Sequence, residues 1–330
     1  MRKLFDAYRF LSLLTIRKVT NLGAQTILNY CSYLTGKPLH GGYPWSISIE
    51  TSSVCNLRCP ECPSGRGEVS REYPEMPFET FKKIIDESAS HLIYLMLYFQ
   101  GEPFLAKNFH EMVAYAKRKN IYTMTSTNGH FLDESSCPRI VDSGLDRIII
   151  SVDGATAESY KKYRINGDFD KVTRGIKLLA EEKRKKKVSH PQIILQAIVF
   201  RHNQEEIQQI KNLGKKLSAD RITFKSAQIL DFDKKNELIP DKKYTRYSNR
   251  DGHYQVKGKN RMCKRIWSSM VFTTEGNALP CCYDKHSKYS IGNILNDKIH
   301  ELWNSPRLND FRERVMHDGD RIDICNNCFR

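Results

Sequence analysis

Three cysteines crowd into eight residues, Cys55-Asn-Leu-Arg-Cys59-Pro-Glu-Cys62, directly after a short strand-like segment, Ser46 to Glu50. Thiolates in a C-x3-C-x2-C run can hold three irons of a four-iron, four-sulfur cluster, and the loop contains no fourth cysteine. One iron is then left open to chelation by a small molecule. The competing reading is a zinc knuckle, whose usual form is paired C-x2-C motifs rather than three clustered thiols.

From Ser46 to about Ser226 the chain alternates strand-like and helix-like patterns six times. The strand candidates are Ser46 to Glu50, Leu92 to Phe99, Ile121 to Thr127, Arg147 to Val152, Ile193 to Phe200 and Arg221 to Lys225. Several are unbroken apolar runs, as parallel strands covered on both faces require. Pro77 suits a first helical position ahead of an apolar face made by Phe78, Phe81, Ile84 and Ile85. Asn203 to Glu206 reads as a capping box opening a helix with the stripe Ile207, Ile210, Leu213 and Leu217, and Gly144 reads as a helix stop after Pro138 to Ser143. Six units are too few for a closed eight-stranded barrel. The expected α/β fold is an open, three-quarter (β/α)6 TIM-like barrel over residues 46–226, with its chemistry at the C-terminal strand ends.

The motifs obey that rule. The cysteine run follows the first strand, Gln100-Gly101-Glu102-Pro103 the second, Ser126-Thr127-Asn128-Gly129 the third and Ser151-Val152-Asp153-Gly154 the fourth. Together they resemble the signature of radical S-adenosylmethionine (radical SAM) enzymes. The resemblance implies a 4Fe-4S cluster on Cys55, Cys59 and Cys62, with S-adenosylmethionine (SAM) chelating the open iron and reductively cleaved to a 5'-deoxyadenosyl radical that abstracts hydrogen from a substrate. It also implies that Gly101 and Glu102 hold the methionine ammonium and that Ser126, Asn128, Ser151 and Asp153 contact the ribose and carboxylate. Gln196 on the fifth strand is a further expected cofactor contact. Two positions depart from the family pattern: Gln100 stands for the first glycine of G-G-E-P, and Glu61 for the aromatic residue that often precedes the last cysteine.

Residues 227–262 are polar and basic, carry Pro240, Gly252 and Gly258, and read as a linker. Beyond it, residues 263–330 hold Cys263, a hairpin pattern over Met270 to Pro280 with Gly276 at its turn, Cys281, a helix bearing Trp303 and Arg307, and Cys325-Asn-Asn-Cys328. This C-x9–15-G-x4-C plus C-x2-C arrangement resembles the auxiliary-cluster extension called SPASM, or its shortened form, Twitch. The resemblance implies a second, fully ligated 4Fe-4S cluster on Cys263, Cys281, Cys325 and Cys328. Cys282 is an alternative to Cys281, and a four-thiolate zinc site an alternative to the cluster. A fully ligated cluster suits electron transfer, so the expected reaction is a two-electron oxidation of a sugar-like or other small-molecule carbon, with Asp284 as candidate base. Peptide-modifying relatives supply the alternative substrate class; residues 1–45 read as too short and too helical for a leader-binding module. Redox-neutral chemistry and a non-catalytic iron–sulfur or zinc protein are the remaining readings.

Composition narrows the partners. The chain has 53 lysines and arginines against 38 acidic residues, a formal net charge of +15. Without an RNA-binding signature, that charge reads as a docking surface for an acidic electron donor such as a flavodoxin or ferredoxin rather than for nucleic acid. Seven of the ten cysteines sit in metal-type spacings and Cys31, Cys137 and Cys282 are left over, which points to a reducing, cytoplasmic setting. The N-terminal apolar run Phe10 to Ile16 is too short to span a bilayer. Residues 1–45 read as a basic amphipathic helical segment, which either lies on an anionic membrane surface or packs across the open side of the barrel.

Overall fold

The computed structural model describes residues 2–232, 236–250, 253–257 and 262–328. Six parallel strands form the expected partial barrel: β1 (Ser46–Ile49), β2 (Tyr94–Met96), β3 (Tyr122–Thr127), β4 (Arg147–Ser151), β5 (Gln192–Val199) and β6 (Arg221–Ser226), paired in chain order. All four residues of β1 are buried, as are most of β3 and β5. Burial on both faces is why these segments read as continuous runs instead of alternating ones. Inward hydroxyls are satisfied by neighbouring strand ends: Ser48 Oγ donates to the Tyr98 carbonyl at 2.6 Å and Thr125 Oγ1 to that of Leu97 at 2.9 Å.

Helices α1 (Arg2–Ser12) and α2 (Ile16–Thr35) precede the barrel, and α3 (Phe78–Ser88), α4 (Phe109–Arg118), α5 (Ser136–Asp142), α6 (Ala157–Lys161), α7 (Phe169–Lys185) and α8 (Ile207–Lys216) lie between or after its strands. Phe81, Ile84 and Ile85 of α3 are buried as expected, with Pro77 one position earlier than the reading placed it, at the N-cap. Gly144 takes the left-handed conformation (φ +77°) after α5. The capping-box reading at Asn203 is corrected. Residues Arg201–Glu206 form a 3-10 turn, and Asn203 reaches back to accept the Phe200 N–H at 2.8 Å while donating to the carbonyls of Asp153 and Ile198.

The two N-terminal helices do not cross the open side of the barrel. Helix α1 and the start of α2 lie under the N-terminal strand ends, where Arg9 meets Asp146 at 3.0 Å, Asp6 binds Tyr122 and Arg147, and Lys18 Nζ donates to the Asn120 carbonyl at 2.5 Å; the rest of α2 reaches the C-terminal segment, where Tyr33 Oη accepts the Cys263 N–H at 2.8 Å. The linker is also more structured than its composition suggested. A hairpin of β7 (Tyr247–Arg250) and β8 (His253–Val256) forms within it, and Ala227, Ile229, Ile239, Tyr247 and Val256 pack with Leu57 and Cys59 of the cysteine loop. Gly252 and Gly258 lie outside the described residues.

The C-terminal segment continues the barrel sheet. Strand β9 (Ser269–Phe272) pairs parallel with β1, Ser46 opposite Ser269 through Ile49 opposite Phe272, and β10 (Asn277–Leu279) and β11 (Gly292–Asn293) follow antiparallel. The nine-stranded sheet therefore runs β11-β10-β9-β1-β2-β3-β4-β5-β6. The expected hairpin turn is present, with Gly276 at φ +82° donating its N–H to the Thr273 carbonyl at 2.9 Å. The expected single helix around Trp303 is broken by Ser305-Pro306 into α9 (Ile299–Trp303) and α10 (Pro306–Asp318), and α11 (Asp323–Asn326) leads into the final cysteines.

Candidate active site

The cysteine loop leaves β1 and folds back under Gly101. Gly101 has φ +69°, and a Cβ there would lie 2.3 Å from the Ser52 carbonyl oxygen and 2.7 Å from that of Val54. Only glycine permits this approach. The Glu102 N–H donates to the Val54 carbonyl at 2.7 Å and the Gly101 N–H to Ser64 Oγ at 3.0 Å. Ser64 Oγ donates in turn to Gln100 Oε1 at 2.9 Å, so the departure at Gln100 fastens the far end of the cysteine loop. Glu61 has a similar explanation. Its carboxylate accepts the Leu230 N–H at 2.7 Å and the Asn236 amide at 3.1 Å, fixing the linker to the loop.

A cavity of about 780 Å³ opens above this loop. Cys55, Cys59, Cys62, Gly101, Glu102, Ser126, Asn128 and Ser151 all line it, so the four strand-end motifs do converge. Asn128 Nδ2 sits 3.8 Å from Cys55 Sγ and 2.7 Å from Asn56 Oδ1. Glu102 is fully buried, accepting Thr127 Oγ1 at 2.7 Å and the backbone N–H of Asn128 at 2.8 Å. Burial pushes its carboxyl up to about 7 despite those donors. Burial likewise pushes the Cys55 thiol up to about 11, so its thiolate form calls for a bound cation.

Three expected residues stand elsewhere. Asp153 is wholly buried beneath the cavity, accepting Arg164 Nε and the Ile198 N–H, each at 2.6 Å. Arg164 lines the cavity and brings Nη1 to 3.8 Å from Cys59 Sγ, so Asp153 positions a cation beside the thiols. Gln196 is half-buried on β5 and is not among the lining residues. Asp284 is buried, with its two oxygens accepting the backbone N–H groups of Lys288 and Tyr289 at 2.8 Å each. It caps its own turn and, unlike its neighbours Tyr283 and Lys285, is not among the residues lining the cavity, so the structure brings no Asp284 oxygen there as a base.

The sequence reading missed the opposite wall. Lys225 and Ser226 at the end of β6, Gln228 and Arg246 from the linker, and Arg265, Tyr283 and Lys285 from the C-terminal segment complete the lining. Lys285 Nζ lies 4.7 Å from the centre of the Phe99 ring, and Arg265 Nη1 donates to Cys282 Sγ at 3.2 Å. Burial, with Arg265 and Arg246 nearby, lowers the basicity of Lys225. The signal available in the sequence was the basic character of these segments, which periodicity cannot aim.

The C-terminal thiols gather at the side of this wall. Cys263 and Cys325 share an apolar cluster with Trp267, Phe311 and Ile322, while Cys281 interacts with Cys263, and Arg265 faces both Cys281 and Cys328. The adjacent Cys281 thiol and the Arg265 guanidinium lower the Cys282 thiol, while Cys282 and burial raise that of Cys281. Cys282 thus meets Arg265, while Cys281 stands near Cys263. Tyr247 ties this group to the linker, accepting the Ile229 N–H and donating to Asn327 Oδ1, both at 2.8 Å.

Both donor sets fit iron–sulfur clusters. Among the described residues three thiols line the cavity and no fourth does, which leaves a face toward the open space; at the second site Cys263 and Cys325 share one apolar cluster and Cys281 faces Cys263. Among the described residues no three cysteine, histidine or carboxylate groups form the tight arrangement that holds a single metal ion.

Comparison with known proteins agrees. The model of the radical SAM superfamily matches residues 49–221, and that of the iron-sulfur cluster-binding SPASM domain matches residues 263–329. Fe-coproporphyrin III synthase of Methanosarcina barkeri is 32% identical over 128 residues, 39% of this chain but only 32% of that protein, so the match spans about a third of that relative. PqqA peptide cyclase of Gluconobacter oxydans is 26% identical over 291 residues, covering 82% of this chain and 79% of the relative. Among solved structures, BtrN in complex with AdoMet and 2-DOIA superposes with a TM-score of 0.55 at 18% identity, covering 88% of this chain and 94% of BtrN, a likeness of fold.

Proposed function

This chain belongs to the radical SAM superfamily and carries an iron–sulfur SPASM domain, and from that membership we propose that it oxidises a polar, anion-bearing small molecule held between the barrel mouth and the C-terminal segment. In this reading Cys55, Cys59 and Cys62 hold the SAM-binding cluster, and Cys263, Cys281, Cys325 and Cys328 an auxiliary one. When bound, these groups supply a 5'-deoxyadenosyl radical for hydrogen abstraction and an acceptor for the electron that a two-electron oxidation releases. Glu102 and Gly101 receive the methionine ammonium, Ser126, Asn128 and Ser151 the ribose and carboxylate, and Arg164, steadied by Asp153, sits beside the thiols.

The observation that carries the substrate class is the cationic wall. Arg246, Arg265 and Lys285 face the same cavity as the three thiols, and like charges gathered in a half-enclosed space favour an anion among them. Lys225, whose ammonium form burial and Arg265 disfavour, is the side chain on that wall suited to take up a proton at Nζ, the role Asp284 does not fill. An acidic electron donor such as a flavodoxin or ferredoxin matches the formal charge of +15.

An anaerobic assay of the reconstituted chain with dithionite and SAM tests the class, with 5'-deoxyadenosine expected; none from protein with intact clusters overturns it. A panel of sugar phosphates and uronic acids, run against their neutral parents, tests the substrate class. Acceleration of SAM consumption by the acidic members alone supports it, and equal response to neutral sugars refutes it. The similarity to PqqA peptide cyclase over 82% of the chain favours a second reading, a peptide substrate whose acidic side chain meets the same cations. Acceleration by acidic peptides and by no sugar would select that reading.

A further inference from the structure

Helix α2 is mounted inside out. Its buried residues are Lys18, Asn21, Gln25, Asn29 and Ser32, spaced three or four apart along one face. That polar stripe is satisfied by the body of the protein: besides the Lys18 contact, Asn21 Nδ2 donates to the Tyr43 carbonyl at 3.0 Å, Gln25 Nε2 to that of Gly41 at 2.6 Å and Asn29 Nδ2 to that of Cys263 at 3.2 Å. The opposite face is apolar and outward. Ile16 is 84% exposed, Ile27 64%, Tyr30 58% and Leu34 68%, with Val19 between them. Tyr8 and Leu11 of α1 extend the same character. Side chains of this kind scattered singly over a surface need no explanation, but a stripe spanning five helical turns does.

Charge identifies what covers it. Apart from the buried Lys18, residues 2–37 carry Arg2, Lys3, Arg9, Arg17 and Lys37 against one acid, Asp6. A second copy of the chain would bring like charge to like charge, whereas a bilayer with anionic headgroups offers both the apolar interior and the opposite sign. Tyrosines such as Tyr8 and Tyr30 suit the headgroup level, where one end of the ring is dry and the other wet. Among the described residues no helix is long and apolar enough to cross a membrane, so the contact is one of lying on the surface. We infer that α1 and α2 dock flat on an anionic phospholipid surface through Leu11, Ile16, Val19, Ile27, Tyr30 and Leu34. Among the described residues none of α1 or α2 lines the cavity, so docking through their outward face leaves its lining untouched.

The test is co-sedimentation of the reconstituted full chain with vesicles of phosphatidylcholine alone and with about 30% phosphatidylglycerol. The expected result is binding at least about tenfold tighter to the anionic vesicles, lost in Ile27→Glu/Leu34→Glu. Failure of the unaltered chain to sediment, or equal binding to both vesicles, overturns the inference. So does a dimer in light scattering that the double variant dissociates while neither chain binds vesicles. None of these outcomes depends on SAM cleavage.

Discussion

Substituting Gly101 by alanine tests how the cysteine loop is held. Two costs follow from the geometry. A left-handed φ of +69° is unfavourable for an L-residue by about 1–2 kcal/mol. The new methyl group also meets Ser52 O at 2.3 Å and Ser53 C at 2.7 Å, backbone atoms that cannot rotate aside as a side chain would, and overpacking of this kind costs about 1–3 kcal/mol. The sum, about 2–5 kcal/mol, corresponds to a fall in Tm of about 3–7 °C for a chain of this size. Because the displaced segment adjoins Cys55, the variant should also lose iron at the first cluster while keeping the auxiliary one, from about eight irons per chain toward about four. Gly67→Ala is the control. It shares a positive φ, +73°, but its Cβ would meet nothing within 4 Å, so it should show the conformational cost alone. Full iron content and a Tm within about 1 °C of the parent in Gly101→Ala would refute the reasoning.

Two further outcomes can be checked by denaturant melts. Arg164→Met leaves the Asp153 carboxylate, 0% exposed, without its cation and should cost about 3–5 kcal/mol, of which Asp153→Asn in the same chain restores a large part; a double variant as unstable as the sum of the singles would contradict the pairing. Burial lowers Lys18 to about 8, so between about pH 8 and 10.5 the unfolded chain binds more protons than the folded one, and the Lys18 contribution to stability must rise with pH. The difference in unfolding free energy between the parent and Lys18→Met should grow by about 2 kcal/mol between about pH 7.5 and 9.5; a difference that stays flat would show that Lys18 is not desolvated.

The barrel was legible because burial on both faces leaves uninterrupted apolar runs, and the first cluster because three thiols in one loop carry their own chemistry. The convergence of Gly101, Glu102, Ser126, Asn128 and Ser151 followed from strand order. What sequence patterns could not supply was direction. The stripe of Lys18, Asn21, Gln25, Asn29 and Ser32 is as periodic as the apolar one, and only tertiary contacts decide which of two complementary faces turns inward. Asp284 offered a carboxylate near the second cysteine set, but a turn that consumes both oxygens is indistinguishable in sequence from one that leaves them free. Gln100 and Glu61 looked like departures from a pattern, and are fasteners whose partners, Ser64 and Leu230, no spacing rule identifies.

The pairing of β1 with β9 joins residues more than two hundred positions apart, across Ser46–Ile49 and Ser269–Phe272. Without the C-terminal segment, β1 would become a bare sheet margin of four buried residues with unclaimed N–H and C=O groups, a template for adhesion between molecules. The two halves are therefore poor candidates for separate expression or for modular exchange between relatives. Any graft of a foreign cluster segment would have to deliver a matching strand in the same register before it could hold a cluster beside the barrel.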